Sequence, residues 1–141
     1  MSGKKILILG SGAIGSVIGG MLTNSGHNVT LADQWADHVD TMKIKGLKIN
    51  KYDGSSFSVA VKAIHLHELQ RENNFNLIIL SVKSYDTRWA AKLGLKHLTR
   101  TGSIIVAQNG VNDHVVAQIA SPEKVIGCVV LIGAALEESG I

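Results

Sequence analysis

Ile6-Leu7-Ile8-Leu9-Gly10-Ser11-Gly12-Ala13-Ile14-Gly15 joins a short, solid apolar run to a G-x-G-x-x-G string. Ile14, Val17, Ile18, Met21 and Leu22 then recur at spacings of three and four, which predicts a helix over Ala13–Ser25 with Gly26 closing it. The glycine string alone is weak, because glycine is common. Its setting carries the weight: a strand before it, a helix after it, and an acid at the end of a second strand, the context of a dinucleotide-binding turn. Each glycine then has a task. Gly10 makes the tight turn, Gly12 leaves room for a pyrophosphate against the backbone, and Gly15 lets helix and strand pack closely. Ser11, Ala13 and Ile14 complete the loop, and the helix N-terminus offers free N–H groups and about half a positive charge to an anion.

Asp33 ends the second strand-like run, Val29-Thr30-Leu31-Ala32. A carboxylate there can accept both hydroxyls of an adenosine ribose. A ribose 2′-phosphate beside it would put like charges about 4 Å apart, a repulsion of several kcal/mol at an effective dielectric near 20. Gln34 and Trp35 follow and bring no cation, while Lys43 lies a helix away. These residues favour NAD.

Outward from this point the chain alternates between solid runs and helical periodicity. Ala36–Lys45 reads as a helix ending at Gly46. Leu47–Tyr52 and Phe57–Val61 flank Asp53-Gly54 as a hairpin. His65–Arg71 reads as a short helix, Leu77–Val82 as a buried strand, Asp86–Leu98 as a helix and Ile104–Ala107 as a strand. Asn112–Ile119 is a helix stopped before Pro122, and Val125–Ile132 is a last strand. This order predicts an α/β fold, a doubly wound parallel sheet of Rossmann type with a small β-hairpin insertion.

Composition sets the limits. The 141 residues are 45% hydrophobic and 18% charged, enough for one domain with a real core and too apolar for disorder. The net charge of +3 is spread along the chain, unlike the concentrated basic surface of a nucleic-acid binder. Lys4-Lys5 precedes an uncharged stretch from Ile6 to Val29 that invites a signal-peptide or membrane reading, and Gly15 and Gly19 fit a G-x-x-x-G helix-pairing pattern. Gly10, Gly12, Gly15, Gly19 and Gly20 dilute that stretch and polar residues crowd its far end, so the expectation is a soluble, cytoplasmic protein with neither membrane nor nucleic-acid partners. His65 and His67 share a strand face without supporting Cys or acids, so no metal site is expected. Cys128, the lone cysteine, sits within an apolar run and is expected to be buried and inert. Trp35, Tyr85 and Trp89 read as packing residues.

Two further strand ends carry polar groups: Lys83-Ser84-Tyr85-Asp86 and Gln108-Asn109-Gly110-Val111-Asn112. Lys83 offers a charge to a phosphate, ribose or carboxylate, or simply caps its strand in solvent. Asn109 offers a donor and an acceptor, or simply makes a turn with Gly110.

With these residues in place, the chain resembles the N-terminal domain of the ketopantoate reductase family. The matching stretches are Ile8–Gly15, Ser25–Val29, Ser81-Val82-Lys83-Ser84-Tyr85, Gln108-Asn109-Gly110-Val111 and Gly133-Ala134, in order over almost the whole chain. The resemblance implies NADPH-dependent reduction of ketopantoate to pantoate in pantothenate biosynthesis. It implies that the glycine loop, Lys83, Asn109 and a backbone group near Ala134 (or Ala135, by another alignment) contact the dinucleotide, and that Asn109 also touches substrate. Asp33-Gln34 departs from the basic residue that family members often carry. The family's catalytic lysine and a substrate-holding carboxylate belong to a helical second domain, so no catalytic residue is expected within residues 1–141, which form a C-terminally incomplete nucleotide-binding domain. A non-catalytic dinucleotide-binding module or truncated fragment, or a reductase of another 2-keto acid, are the competing readings. Surface that the second domain would cover makes self-association, in the simplest case a homodimer, an expected property.

Overall fold

The central apolar runs, Ile6–Leu9, Val29–Ala32 and Ile78–Leu80, become strands buried on both faces. The computed structural model describes residues 3–108 and 112–141. Its elements are β1 (Lys5–Leu9), α1 (Ala13–Asn24), β2 (Asn28–Asp33), α2 (Ala36–Lys45), β3 (Leu47–Asn50), β4 (Ser56–Val59) and β5 (Lys62–His65). They continue with β6 (Phe75–Leu80), α3 (Thr87–Leu95), β7 (Leu98–Val106), α4 (Asp113–Ala120) and β8 (Val125–Gly127). Among the described residues, six strands form one parallel sheet in the order β5-β2-β1-β6-β7-β8, while β3 and β4 pair as a separate antiparallel hairpin. Leu7 of β1 stands in register with Thr30 of β2 on one side and Ile78 of β6 on the other.

Side chains alternate across the sheet and build two cores. Leu7, Leu9, Leu80 and Ile104 face α3 and α4, meeting Ala90, Ala91 and Val116. Ile6, Ile8 and Leu31 face the other layer, meeting Val39 and Met42 of α2 and Leu47 of the hairpin. Leu7, Ile8 and Leu9 have no exposed surface, and burying each contributes about 1.5–3 kcal/mol. The doubly wound sheet and its hairpin insertion are therefore present as the sequence predicts.

Several local expectations are corrected. β5 falls where the sequence reads only a hairpin's end. Lys62–His65 pairs parallel with β2, and its apolar middle is just Ala63 and Ile64, too short to stand out from the preceding valines. The short helix expected after it is present, as a 3₁₀ helix over Leu66–Arg71. β7 starts at Leu98, because Leu98 pairs with Phe75 ahead of a register shift. The buried face of α1 consists of Gly15, Ser16, Gly19 and Gly20, and Met21 is exposed. Size decides this face: a Cβ on Gly19 would stand 2.8 Å from Leu31 Cδ2, and one on Gly20 2.5 Å from Ile49 Cδ1. The G-x-x-x-G spacing thus seats α1 on the sheet and hairpin. No helix among the described residues is long and apolar enough to cross a membrane.

The last strand ends at Gly127, so the apolar run beyond it lies outside the sheet. Cys128 is exposed, contrary to expectation. β8 is an edge strand with a neighbour only in β7, and beyond it Cys128, Val129, Leu131 and Ile132 are exposed while Val130 packs against the core.

Candidate functional site

β1 and β6 are neighbours from which the chain winds outward in opposite directions, to β2 and β5 on one side and to β7 and β8 on the other. At such a switch point the loops part and leave a crevice beyond the carboxyl ends of the strands. Here the crevice is a cleft of about 350 Å³, lined by the glycine loop, Asp33, the 81–86 loop, Gln108 and the 132–134 segment.

The glycine loop is built from contacts that forbid larger residues at two of its positions. Gly10 takes φ +97°, its N–H donates to the Ala32 carbonyl (2.9 Å), and a Cβ there would lie 2.7 Å from the Val82 nitrogen. A Cβ on Gly15 would overlap the Gly10 carbonyl oxygen, so α1 leans directly on the turn. Gly12 differs: a Cβ there meets nothing within 4 Å, because that space is the cleft. Gly12 caps α1 without any side-chain hydrogen bond, and no acid lies in the first turn. The first-turn amides and the positive end of the helix dipole therefore meet no competing anion from this turn. Gly12, Ala13 and Ile14 line the cleft, whereas Ser11 is completely buried beneath it.

Asp33 lines the cleft but has a second task. Its Oδ2 accepts the Ser11 N–H (2.7 Å) and its Oδ1 accepts the Trp35 N–H (2.8 Å). The carboxylate thus braces the glycine loop against the end of β2, and each oxygen keeps acceptor capacity. Lys83 is exposed at the mouth of the cleft, ahead of the short 3₁₀ turn Ser84–Asp86. Ala134 is half-buried on the cleft wall, beside Gly133, whose carbonyl accepts the Tyr52 hydroxyl (3.4 Å). Asn109 lies outside the described residues. Of the three expected packing aromatics, Trp89 anchors its indole N–H on Asp86 (2.7 Å), Trp35 stacks on His38, and Tyr85 is exposed on the cleft rim.

Three residues join the site that sequence reasoning did not assign to it. The Ser81 hydroxyl donates to the Gly10 carbonyl (2.6 Å), tying β6 to the turn. Buried Gln108 donates through Nε2 to the Val82 carbonyl (2.7 Å) and to Thr87 Oγ1 (3.0 Å), fixing the two strand-end loops to each other. Both lie in stretches singled out above, so the signal was position at a strand end. The third is His38, with no exposed surface, whose Nε2 lies 2.8 Å from the Ser11 carbonyl. Burial holds its pKa below the ordinary value of 6.5, although the Ser11 hydrogen bond and the charge of Asp33 oppose that shift. Its signal is spacing: His38 stands four residues before Met42, on the buried stripe of α2.

Elsewhere, His65 Nε2 lies 2.8 Å from Asp40, and the His65 ring stacks on His67. Among the described residues no group of three or more His, Cys, Asp or Glu is placed to hold a metal ion. The cleft residues instead suit a dinucleotide: an uncapped helix N-terminus, an open cradle above Gly12 that a side chain would fill, and a carboxylate one strand away.

Comparison with known proteins agrees. The family model described as ketopantoate reductase PanE/ApbA matches residues 6–141. The chain is 36% identical over 138 residues to the 2-dehydropantoate 2-reductase of Pyrococcus abyssi (strain GE5 / Orsay), covering 97% of this chain and 43% of that protein. The Pyrococcus horikoshii enzyme of the same name is 33% identical over the same shares. Among solved structures, the ternary structure of D-mandelate dehydrogenase with NADH and anilino(oxo)acetate superposes with a TM-score of 0.88 at 28% identity, covering 96% of this chain and 44% of that one. A putative 2-dehydropantoate 2-reductase from Enterococcus faecalis gives 0.85 at 27% identity, over the same shares. The chain therefore spans less than half the length of the relatives it matches.

Proposed function

The chain belongs to the ketopantoate reductase PanE/ApbA family, and from that membership we propose that it is the dinucleotide-binding part of a reductase that converts ketopantoate, a 2-keto acid, to pantoate. The observation that carries this reading is the uncapped N-terminus of α1 standing over the open cradle at Gly12. When bound, a nicotinamide dinucleotide supplies the hydride. The chain supplies position and field. The amides of Gly12, Ala13 and Ile14 hold the pyrophosphate, the remaining acceptor capacity of Asp33 takes the adenosine ribose hydroxyls, and exposed Lys83 brings a cation to the cleft mouth. By the family resemblance a backbone group near Ala134 contacts the dinucleotide, as does Asn109, which also contacts substrate. The lysine that protonates the alkoxide and the carboxylate that holds substrate belong to the helical second domain of the family. A cytoplasmic setting, and self-association into a homodimer through surface that such a domain would cover, belong to the same reading.

Between the two dinucleotides, NAD is favoured. Asp33 lines the cleft, Gln34 beside it is neutral, and the nearby Lys43 is held 2.6 Å from Glu68. The likeness to D-mandelate dehydrogenase with NADH supports the same choice and the wider class of 2-keto and 2-hydroxy acids. Titrating the purified 141-residue chain with NADH and NADPH, followed by nicotinamide fluorescence, tests both points. Sub-millimolar binding with NADH tighter is expected. Binding of neither cofactor below millimolar concentration overturns the dinucleotide reading, and tighter NADPH overturns the preference.

A further inference from the structure

His38 is a completely buried titratable side chain, and neither the fold nor the proposed chemistry gives it a task. Three contacts define it. Its Nε2 is 2.8 Å from the Ser11 carbonyl and 3.2 Å from the Ser16 hydroxyl, and its Nδ1 is 2.9 Å from the Gly140 backbone nitrogen. The tautomer follows from the third contact. A backbone N–H can only donate, so Nδ1 accepts from Gly140 and the ring proton sits on Nε2, donating to the Ser11 carbonyl. The Ser16 hydroxyl donates to that same carbonyl (2.7 Å), so Ser11 is held from two sides.

What the ring joins is informative. Ser11 lies between the two glycines of the turn, immediately before the Gly12 and Ala13 amides that face the cleft. Gly140 belongs to the 133–141 segment, whose first residues, Gly133 and Ala134, line the same cleft. The far end of that segment is pinned at Gly140: its carbonyl accepts the Lys48 N–H (2.9 Å), and its φ is +82°. Trp35 stacks on the imidazole at 5.2 Å between ring centroids.

We propose that His38 is a positioning residue for the dinucleotide, a neutral peg whose ring ties the floor of the glycine loop at Ser11 to the cleft-lining 133–141 segment at Gly140. This rests on the dinucleotide reading above. The peptide planes of a glycine-rich loop are easily rotated, so amides aimed at an anion need a fixed carbonyl behind them. The peg is also conditional on charge. The groups facing the ring are the Ser11 carbonyl, the Ser16 hydroxyl, the Trp35 indole, the Gly140 amide and, as a charge, Asp33 at the end of β2. A second ring proton would set Nδ1–H against the Gly140 N–H, donor against donor. Acid therefore breaks the tie between the ring and Gly140, whose carbonyl still accepts the Lys48 N–H, and leaves the Ser11 bond in place.

Two substitutions separate the halves of the peg. His38→Gln places an amide donor near the Nε2 position and removes the Nδ1 acceptor; His38→Asn does the reverse. For His38→Asn the NADH dissociation constant should rise about tenfold, the scale of one lost hydrogen bond that had satisfied a buried acceptor. For His38→Gln it should stay within about threefold. Protection of the Gly140 amide, its exchange rate by NMR relative to that of the unfolded chain at the same pH, should be lost in His38→Gln and in the native chain as the pH falls through the lowered His38 value, and should be kept in His38→Asn. If both variants bind NADH like the native chain, the positioning role is overturned while the dinucleotide reading stands. If the native chain binds no dinucleotide, that reading falls and this one with it. Should either variant fail to fold, long-range ¹H–¹⁵N spectra of the native chain decide instead: Nε2–H with bare Nδ1 supports the peg, and Nδ1–H overturns it.

Discussion

From Leu9 to Gly15 the backbone is gripped from several sides. The Gly10 N–H is held by Ala32, the Gly10 carbonyl by Ser81, the Ser11 N–H by Asp33 and the Ser11 carbonyl by Ser16 and His38. From Cys128 to Ile132 the chain is of comparable apolar character, yet Val129 is 82% exposed and Leu131 90%. The difference is neighbours. β1 has a parallel strand on each side and helices on both faces, whereas β8 is three residues at the sheet edge. Hydropathy states what a segment can bury; the number of partners decides whether it does.

The sharpest way to break this comparison is to crowd the gripped region. Gly15→Val puts a side chain into the Gly10 carbonyl, which Ser81 holds in place, and should cost roughly 3 kcal/mol of stability or more in urea unfolding. A loss under about 1 kcal/mol would mean that the turn yields and the grip is loose. Gly12→Val tests the motif glycine whose Cβ position opens outward, where those of Gly10 and Gly15 are blocked. Stability should change by less than about 1 kcal/mol, because a Cβ there meets nothing. Dinucleotide affinity should fall on the order of a hundredfold, through lost charge-assisted hydrogen bonds to the pyrophosphate. Equal affinity in the variant would remove the anion from the cradle.

Asp33 shows where legibility ends within the site. The glycine loop can be read in the sequence because turn, helix start and close approach are local demands on adjacent residues. An acid at the end of β2 is legible for the same reason. That one of its oxygens already holds Ser11 is not, since it depends on how far apart the ends of β1 and β2 stand. His38 is hidden for a related cause: its partners Ser11 and Gly140 are remote in sequence. β5 is missed because Ala63 and Ile64 make too short a run. The burial of Cys128 is misjudged because an edge strand's coverage depends on chain that need not be adjacent. The dual role of Asp33 also changes what its substitution should do. Asp33→Ala with Gln34→Arg should move the NADH-to-NADPH affinity ratio about tenfold toward NADPH, from relieved repulsion. Both affinities should fall together as the Ser11 brace is lost. An unchanged ratio would mean that Asp33 braces the loop and does not meet the ribose.

The loose region predicts small effects on folding and larger ones on behaviour. Val129→Lys with Leu131→Asp should leave stability within about 0.5 kcal/mol, as for surface substitutions generally. It should also weaken any concentration-dependent self-association seen by sedimentation, because it breaks an exposed apolar strip. Cys128 should react with a thiol reagent in the native chain at a rate close to that of the unfolded chain. Strong protection would show that the 128–132 segment is covered in solution.

The smallest effects, and the finest test, come from pH. His38 is held below its ordinary value by burial, so the unfolded chain binds its proton first as the solution is acidified. Its contribution is fully present above pH 6.5 and declines as the pH falls from there toward the lowered folded value, where it levels off. Glu68 is the opposite kind of group at the opposite kind of place. Lys43 and the His65 N–H draw its pKa down to about 2, so its contribution is present above about 4.5 and is lost as the pH falls through about 2. Glu68 meets solvent, so salt should erase most of that second window, leaving only what the His65 N–H bond provides. The first window should survive salt, because His38 and its partners are walled off beneath the loop, and His38→Gln should abolish it. A salt-sensitive step near pH 6 would place that titration at the surface and show that the grip around Ser11 does not exclude water.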